Sequence, residues 1–353
     1  MTARLSHLDA LRGLAAVVVA VFHFMRAFTP EVLGPSWINR SPFSALWNGN
    51  FAVEVFFALS GYLFLWKFLG RPAHEAALAL PKRYLRLTLP ALGACLVAWV
   101  IHSLGGFANL QAAALIGSDW LARWYRFAPS ADLAIREPLW DMYMAFDPWR
   151  SYDANLWTIR YELFVVWGVI AAACLMGRLP AWARWLLGIG LAALAWDTYA
   201  FGFALGALVA LARRSGMRDV PLPAALAMIA AGLWGGALGK NFEAPLHLLW
   251  PAAAALLVAG IDSAAACRTS LDRPWLRQVG SLSFGMYLMH FITANSAAAI
   301  ALAKTGSILA TLAAYAVTTI VAAIAFRDLL DRPSQALLAR IFSRNSAAPP
   351  PAR

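Results

Sequence analysis

Apolar residues in this chain do not alternate with polar ones. They come in long unbroken runs separated by shorter, arginine-rich breaks. That is the pattern of helices immersed in lipid, whereas membrane β-strands would show a two-residue alternation. Ten runs stand out, at residues 10–28, 51–69, 85–104, 155–177, 182–196, 199–211, 222–238, 246–261, 279–302 and 307–326. A full crossing takes about 20 residues, so the fifth to eighth runs are short and would tilt little or continue into the interface. The predicted fold class is all-α, a polytopic integral membrane bundle of about ten transmembrane helices. One membrane domain fills residues 1–342, and a Pro- and Ala-rich tail, 343–353, is expected to be disordered and cytoplasmic.

Composition agrees and narrows the class. Hydrophobic residues make up 61% and charged residues 13%, against about 45–50% and about 25% in soluble proteins. A soluble globular enzyme, a disordered chain and a fibrous repeat are excluded. The net charge of +11 would suit nucleic acid, but its distribution points elsewhere. With a cytoplasmic N-terminus, 20 Lys and Arg fall on inner segments and 8 on outer ones, while Arg160 lies within a span. This bias obeys the positive-inside rule and places both termini inside. The first run reads as a span rather than a cleaved leader, because it holds His23 and Arg26 and no small-residue cleavage site follows. The three cysteines show no metal-ligand spacing, and no metal is expected. The long segment 105–154 faces outside and mixes Trp120, Trp124, Tyr125, Trp140, Tyr143 and Trp149 with six acids and four arginines, as an amphipathic connector or a lid would.

Ionisable groups inside spans are costly, so each is a functional candidate. Arg12 and His23 lie eleven residues apart in the first run. At 100° per residue they share a helix face, about 16 Å apart along the axis. This puts a cation at the inner mouth and an imidazole, the natural base at neutral pH, near mid-membrane. In NLWTIRYELF, Arg160 and Glu162 point to different faces, and Glu162 lies at a depth that would let it orient the His23 imidazole or join an internal Arg–Glu network. Glu54 sits near the outer end of the second run. Ser60-Gly61 at its centre suits close helix packing, with Ser60 as acyl-accepting nucleophile the minor alternative. Arg83 and Arg86 are neighbours at the inner interface and either clamp the phosphates of an anionic co-substrate together with Arg12 or anchor to lipid phosphate. Ser283, Tyr287 and His290 form a polar stripe in the ninth run, and His290 is again a mid-membrane histidine, suggesting a cavity shared with His23.

Taken together, these segments resemble the membrane-bound acyltransferase family 3, which includes bacterial polysaccharide O-acyltransferases. The resemblance runs from Leu8 to Pro333. It is carried by LDALRG with the Arg12–His23 spacing, VEVFFALSGYLF, Arg83-x-x-Arg86, LWTIRYELF, SLSFGMYLMH and Asp331-Arg332-Pro333. It implies transfer of an acyl group, usually acetyl, from cytosolic acyl-CoA to a hydroxyl of a cell-surface saccharide or lipid-linked glycan, in the bacterial cytoplasmic membrane. Acyl-CoA is then a co-substrate, and no tightly bound cofactor is expected. Implied catalytic residues are His23, Glu162 and His290. Arg12, Arg83 and Arg86 hold the donor, and Glu54, Ser60, Arg160, Ser283 and Tyr287 form an acceptor or structural polar network. Implied partners are membrane lipids, the saccharide acceptor, and a separate periplasmic transferase or polysaccharide assembly proteins; no nucleic acid is expected. Thr158 stands where the family usually has Ser, and Arg160 is unusual at its position. A proton-coupled exporter or a membrane scaffold would also place His, Glu and Arg within apolar helices.

Overall fold

The computed structural model describes residues 5–33, 41–238 and 246–344. The described residues contain helices and connecting turns and no strand. The first three helices are α1 (Ser6–Phe28), α2 (Gly49–Phe68) and α3 (Ala73–Ser103). A non-spanning segment follows with α4 (Asn109–Ile116), α5 (Ala131–Arg136) and α6 (Met142–Met144). The chain re-enters the bundle with α7 (Ile159–Met176), α8 (Ala181–Ala195), α9 (Ala200–Arg214), α10 (Leu222–Leu238), α11 (Leu246–Asp262) and α12 (Ala265–Leu271). It closes with α13 (Pro274–Thr293), α14 (Ala299–Thr305), α15 (Ile308–Phe326) and α16 (Arg332–Arg344). The tail expected to be disordered lies outside the described residues from 345 onward, and α16 runs up to it.

Local chemistry sets several boundaries. The Asn48 side chain accepts from Phe51 N at 3.3 Å and caps α2; Ser307 caps α15 in the same way through Ala310 N. Pro72 and Pro180 precede α3 and α8, where the first turn has no use for the proline N–H. Each of the ten expected runs is helical, but among the described residues six stretches are long and apolar enough to span: Ser6–Phe28, Gly49–Phe68, Ala73–Ser103, Ala154–Met176, Pro274–Thr305 and Ile308–Phe342. Leu249–Asp262 and Ala265–Leu271, bent by 97°, make a seventh if they act as one span. Helices α8 and α10, at 15 and 17 residues, are apolar but short; at about 1.5 Å per residue they fall below the roughly 30 Å of hydrocarbon.

Small residues let the helices approach closely. A Cβ on Gly13 of α1 would lie 2.5 Å from Gly280 N of α13, and one on Gly280 would strike the Asp9 backbone. On the other side of the bundle, a Cβ on Gly206 of α9 would collide with the Ala58 carbonyl of α2, and one on Gly61 with that of Phe203. Gly206→Ala is therefore expected to destabilise by about 1–3 kcal/mol, outweighing the helix-propensity gain of about 1 kcal/mol. Gly190→Ala in α8, which meets open space, is the control. Thermal inactivation of the two variants in detergent should separate them, and equal midpoints would refute the close contact.

Two apolar cores flank the middle of the bundle. One joins α2, α7, α9 and α11 with the first half of α1. The other joins α3, α13 and α14 with the segment between α3 and α7. That segment is a packed cap. Tyr152 is fully buried, its hydroxyl accepts from Ser130 N at 2.8 Å, and Tyr125 donates to Tyr152 O at 2.7 Å. Ser118 Oγ donates to Ala27 O at 2.7 Å and ties the cap to the end of α1.

Candidate functional site

A cavity of about 380 Å³ opens at the arginine-rich end of the bundle. Its mouth is lined by Asp9, Arg12, Arg86, Arg327, Asp331 and Arg332. Positions 9, 12 and 86 come from the early turns of α1 and α3, and 327–332 from the junction of α15 and α16, where a wide helical turn spans Arg327–Asp331. Arg12 lies 3.8 Å from Asp9, Arg327 pairs with Asp328 at 2.7 Å, and Arg332 reaches the same Asp328 at 2.7 Å.

Deeper in, Glu162 of α7 forms an ion pair with Arg83 of α3 and accepts from Ser60 of α2 at 2.8 and 3.0 Å. Arg83 also donates to Glu162 O at 3.3 Å and lies 4.8 Å from the Phe64 ring centroid. Both charged side chains are 14% exposed. Such a pair is held in place by its cross-links, and removing either partner leaves a poorly solvated charge. The cavity ends at Thr158, Ser283 and Tyr287. The Tyr287 hydroxyl meets Thr158 Oγ1 at 2.6 Å and donates to Asn155 O, and Ser283 Oγ donates to Gly280 O at 2.8 Å. Thr158 keeps the hydroxyl that a serine would supply.

Beyond Tyr287, one turn further along α13, His290 is fully buried and meets His23 of α1: Nε2 and Nδ1 are 3.1 Å apart. Two carbonyls settle the protons. His290 Nδ1 lies 2.8 Å from Met286 O, and His23 Nδ1 lies 3.0 Å from Val19 O. Carbonyl oxygens only accept, so each neutral ring carries its proton on Nδ1. His290 Nε2 is then the acceptor for His23 Nδ1–H, and the remaining lone pair sits on His23 Nε2. Trp120 of the cap lies 5.7 Å from the His23 ring, with Trp124 and Phe291 behind it.

The structure thus brings together Arg12, Arg86, Ser60, Arg83, Glu162, Ser283 and Tyr287 around one cavity, with His23 and His290 beyond its end. Glu162 meets Ser60 and Arg83 rather than His23, whose ring nitrogen faces His290. Arg83 and Arg86 diverge: the first turns inward to Glu162, the second stays exposed at the mouth. Arg160 is exposed, over the Tyr161 ring at 5.6 Å, and does not line the cavity. Glu54 is buried against Gly202 of α9, apart from the cavity, with Oε2 lacking a hydrogen-bond partner among the described residues. Residues the sequence reading did not single out as site residues are Arg327, Arg332, Thr158 and Asn155. For the arginines, the signal was their spacing of five across the Asp-Arg-Pro end of the last long helix.

The cap carries its own titratable group. Glu137 is 2% exposed, accepts from Ser151 Oγ, and accepts from Tyr152 N at 2.8 Å. Burial pushes its carboxyl up to about 7, against the opposing pull of those hydrogen bonds. The folded state therefore favours the protonated form. Its stabilising contribution is complete below the ordinary carboxyl range near 4.5 and is lost as pH rises through about 7. Protection factors across residues 130–153, corrected for the intrinsic rise of exchange with pH, are expected to be higher at pH 5 than at pH 8, and Glu137→Gln should flatten that difference. Equal pH dependence in both proteins would contradict the assignment.

Among known proteins, no curated sequence and no solved structure gives a significant match. The family of the acyltransferase domain matches residues 5–327, nearly the whole chain. A helical bundle with several membrane-length helices and this family match together show that the chain belongs to acyltransferase family 3 and is a membrane acyltransferase.

Proposed function

We propose that the protein moves an acyl group, acetyl in the first instance, from cytosolic acyl-CoA to a hydroxyl of a cell-surface saccharide or lipid-linked glycan in the bacterial cytoplasmic membrane. The observation that carries this reading is the order of groups along one path: a cationic mouth, a polar interior, and a histidine pair with a free lone pair behind the Tyr287–Thr158 contact. With the N-terminus cytoplasmic, as the bias of Lys and Arg favours, the mouth opens to the cytosol.

Arg12, Arg86, Arg327 and Arg332 then attract the phosphates of CoA. The pantetheine arm fills the cavity and brings the thioester to its polar end. Rotation of Tyr287 joins that end to His23. His23 Nε2 takes the proton of the acceptor hydroxyl as its oxygen attacks the thioester carbonyl. When the tetrahedral intermediate collapses, the C–S bond breaks and the CoA sulfur leaves with the proton returned by His23. The acceptor approaches from the capped side, past Trp120 and Trp124.

The test is thioester consumption by purified protein in lipid, with mass spectrometry of the glycan. Loss of acetyl-CoA matched by a gain of acetyl on the acceptor is expected. Acetyl-His23 trapped before acceptor is added would replace the base mechanism with a covalent one, and substrate flux without thioester loss would favour an exporter. Arg86→Ala and Arg327→Ala should each raise the donor KM severalfold with the acceptor KM unchanged, and unchanged donor kinetics in both would remove the CoA role from the mouth.

A further inference from the structure

Asp153 closes the cap against the histidine pair, and acyl transfer as described makes no use of it. It is 0% exposed. Its Oδ1 accepts from Asn155 N at 3.0 Å and from Asn155 Nδ2 at 3.0 Å. Its own N–H donates to Ser151 Oγ at 3.1 Å. Its Oδ2 is buried with no hydrogen-bond partner among the described residues. The Asn155 Nδ2 group has two hydrogens. One goes to Asp153, and the other faces His290 Nε2 at 3.4 Å.

This arrangement fixes the direction of every bond in the chain. Oδ1 of Asp153 accepts, so the amide end of Asn155 must face it. A flipped Asn155 would set its carbonyl oxygen against both Asp153 Oδ1 and the His290 lone pair, two acceptor–acceptor contacts in a buried place. Held as it is, Asn155 presents a hydrogen to His290 Nε2 and keeps that nitrogen unprotonated. His290 can then accept from His23 only if the His23 proton is on Nδ1.

We propose that Asp153 is a positioning residue that, through Asn155, acts with the Met286 and Val19 carbonyls to hold the proton locations in the His290–His23 pair and so keeps the lone pair on His23 Nε2. The proposal rests on the reading of His23 as the base, but its proton locations can be measured without any reaction. It also separates acceptor from charge. Only Oδ1 is engaged, and burial pushes the Asp153 carboxyl well above its usual range. A neutral acid carrying its proton on Oδ2 still presents Oδ1 as an acceptor. An amide at 153 would do the same.

Solid-state ¹⁵N spectra of full-length protein labelled at histidine, in lipid, distinguish protonated from bare ring nitrogens. His23→Ala and His290→Ala identify the signals. In the wild-type protein both rings should be protonated at Nδ1. Asp153→Asn should keep that spectrum and a kcat within about threefold. Asp153→Ala should mix the protonation sites of His290 and lower kcat by about tenfold or more, with donor and acceptor KM little changed. Asn155→Ser, which keeps Asp153 but removes the bridge, should mix the sites in the same way and serves if Asp153→Ala does not fold. Wild-type spectra in both Asp153→Ala and Asn155→Ser overturn the proposal, as does an Asp153→Asn spectrum mixed like that of Asp153→Ala. Asp153-dependent spectra in a protein that consumes no thioester would support the positioning role and sink acyl transfer instead.

Discussion

Replacing His23 by alanine is expected to lower kcat for acyl transfer by about 10²- to 10⁴-fold, the range for loss of a positioned general base, while leaving the donor KM unchanged. The asymmetry follows from the layout. The proposed donor-binding groups line the cavity, and His23 is not among them. Its ring meets Val19 O and His290 on one nitrogen and leaves the other for the proposed acceptor. His290→Ala should give a smaller loss, because it removes the orienting acceptor and leaves the base itself. Steady-state kinetics with acetyl-CoA and the acetylated glycan as readout check both. A His23→Ala protein with wild-type kcat would end the proposed mechanism.

The second large effect concerns stability. Glu162→Ala strips Arg83 of its counter-charge and Ser60 of its acceptor, at a point where both charged side chains are 14% exposed. Breaking a pair so poorly solvated costs about 3–5 kcal/mol, because the orphaned charge is left largely desolvated. Removing both charges together, as in Arg83→Met with Glu162→Leu, should recover most of that loss. Half-lives of thermal inactivation in detergent give the comparison. If Glu162→Ala alone survives as long as the wild type, the pair is not what holds α2, α3 and α7 together. Ser60→Ala should cost about 1.5 kcal/mol, the low end for one hydrogen bond to a charged group.

How far the sequence showed these features depends on whether depth or direction was needed. Depth along a helix can be counted. His23 and His290 each lie well into a helix that starts from the arginine-rich end, and counting residues put them at one level. Direction toward a neighbour cannot be counted. Glu162 has the depth to serve His23, yet its partners come from α2 and α3, 102 and 79 residues away in sequence. Arg83 and Arg86 share a helix face by spacing, but only one meets a carboxylate, so they part. Arg327 and Arg332 carried only the signal of inner-loop cations spaced by five at the Asp-Arg-Pro end, because the wide turn at 327–331 that lines the mouth has no composition of its own. The short helices α8 and α10 look like spans by hydropathy, while helix length is set by capping and breaking residues that hydropathy ignores. Asp153 and Asn155 lie at the end of a non-spanning segment, where polar residues are ordinary and only tertiary burial makes them unusual.

The close approach of α1 and α13 has a metric consequence. Gly13 meets Gly280 backbone to backbone, and His23 meets His290. In each helix the histidine follows the glycine by ten residues, about 15 Å of rise. The two helices run in the same direction from that contact, so the glycine pair acts as the zero of a common ruler and the histidines as its matching marks. Any side chain at the zero slides one scale against the other. The spacing of the facing ring nitrogens is therefore decided about 15 Å away from the histidines themselves.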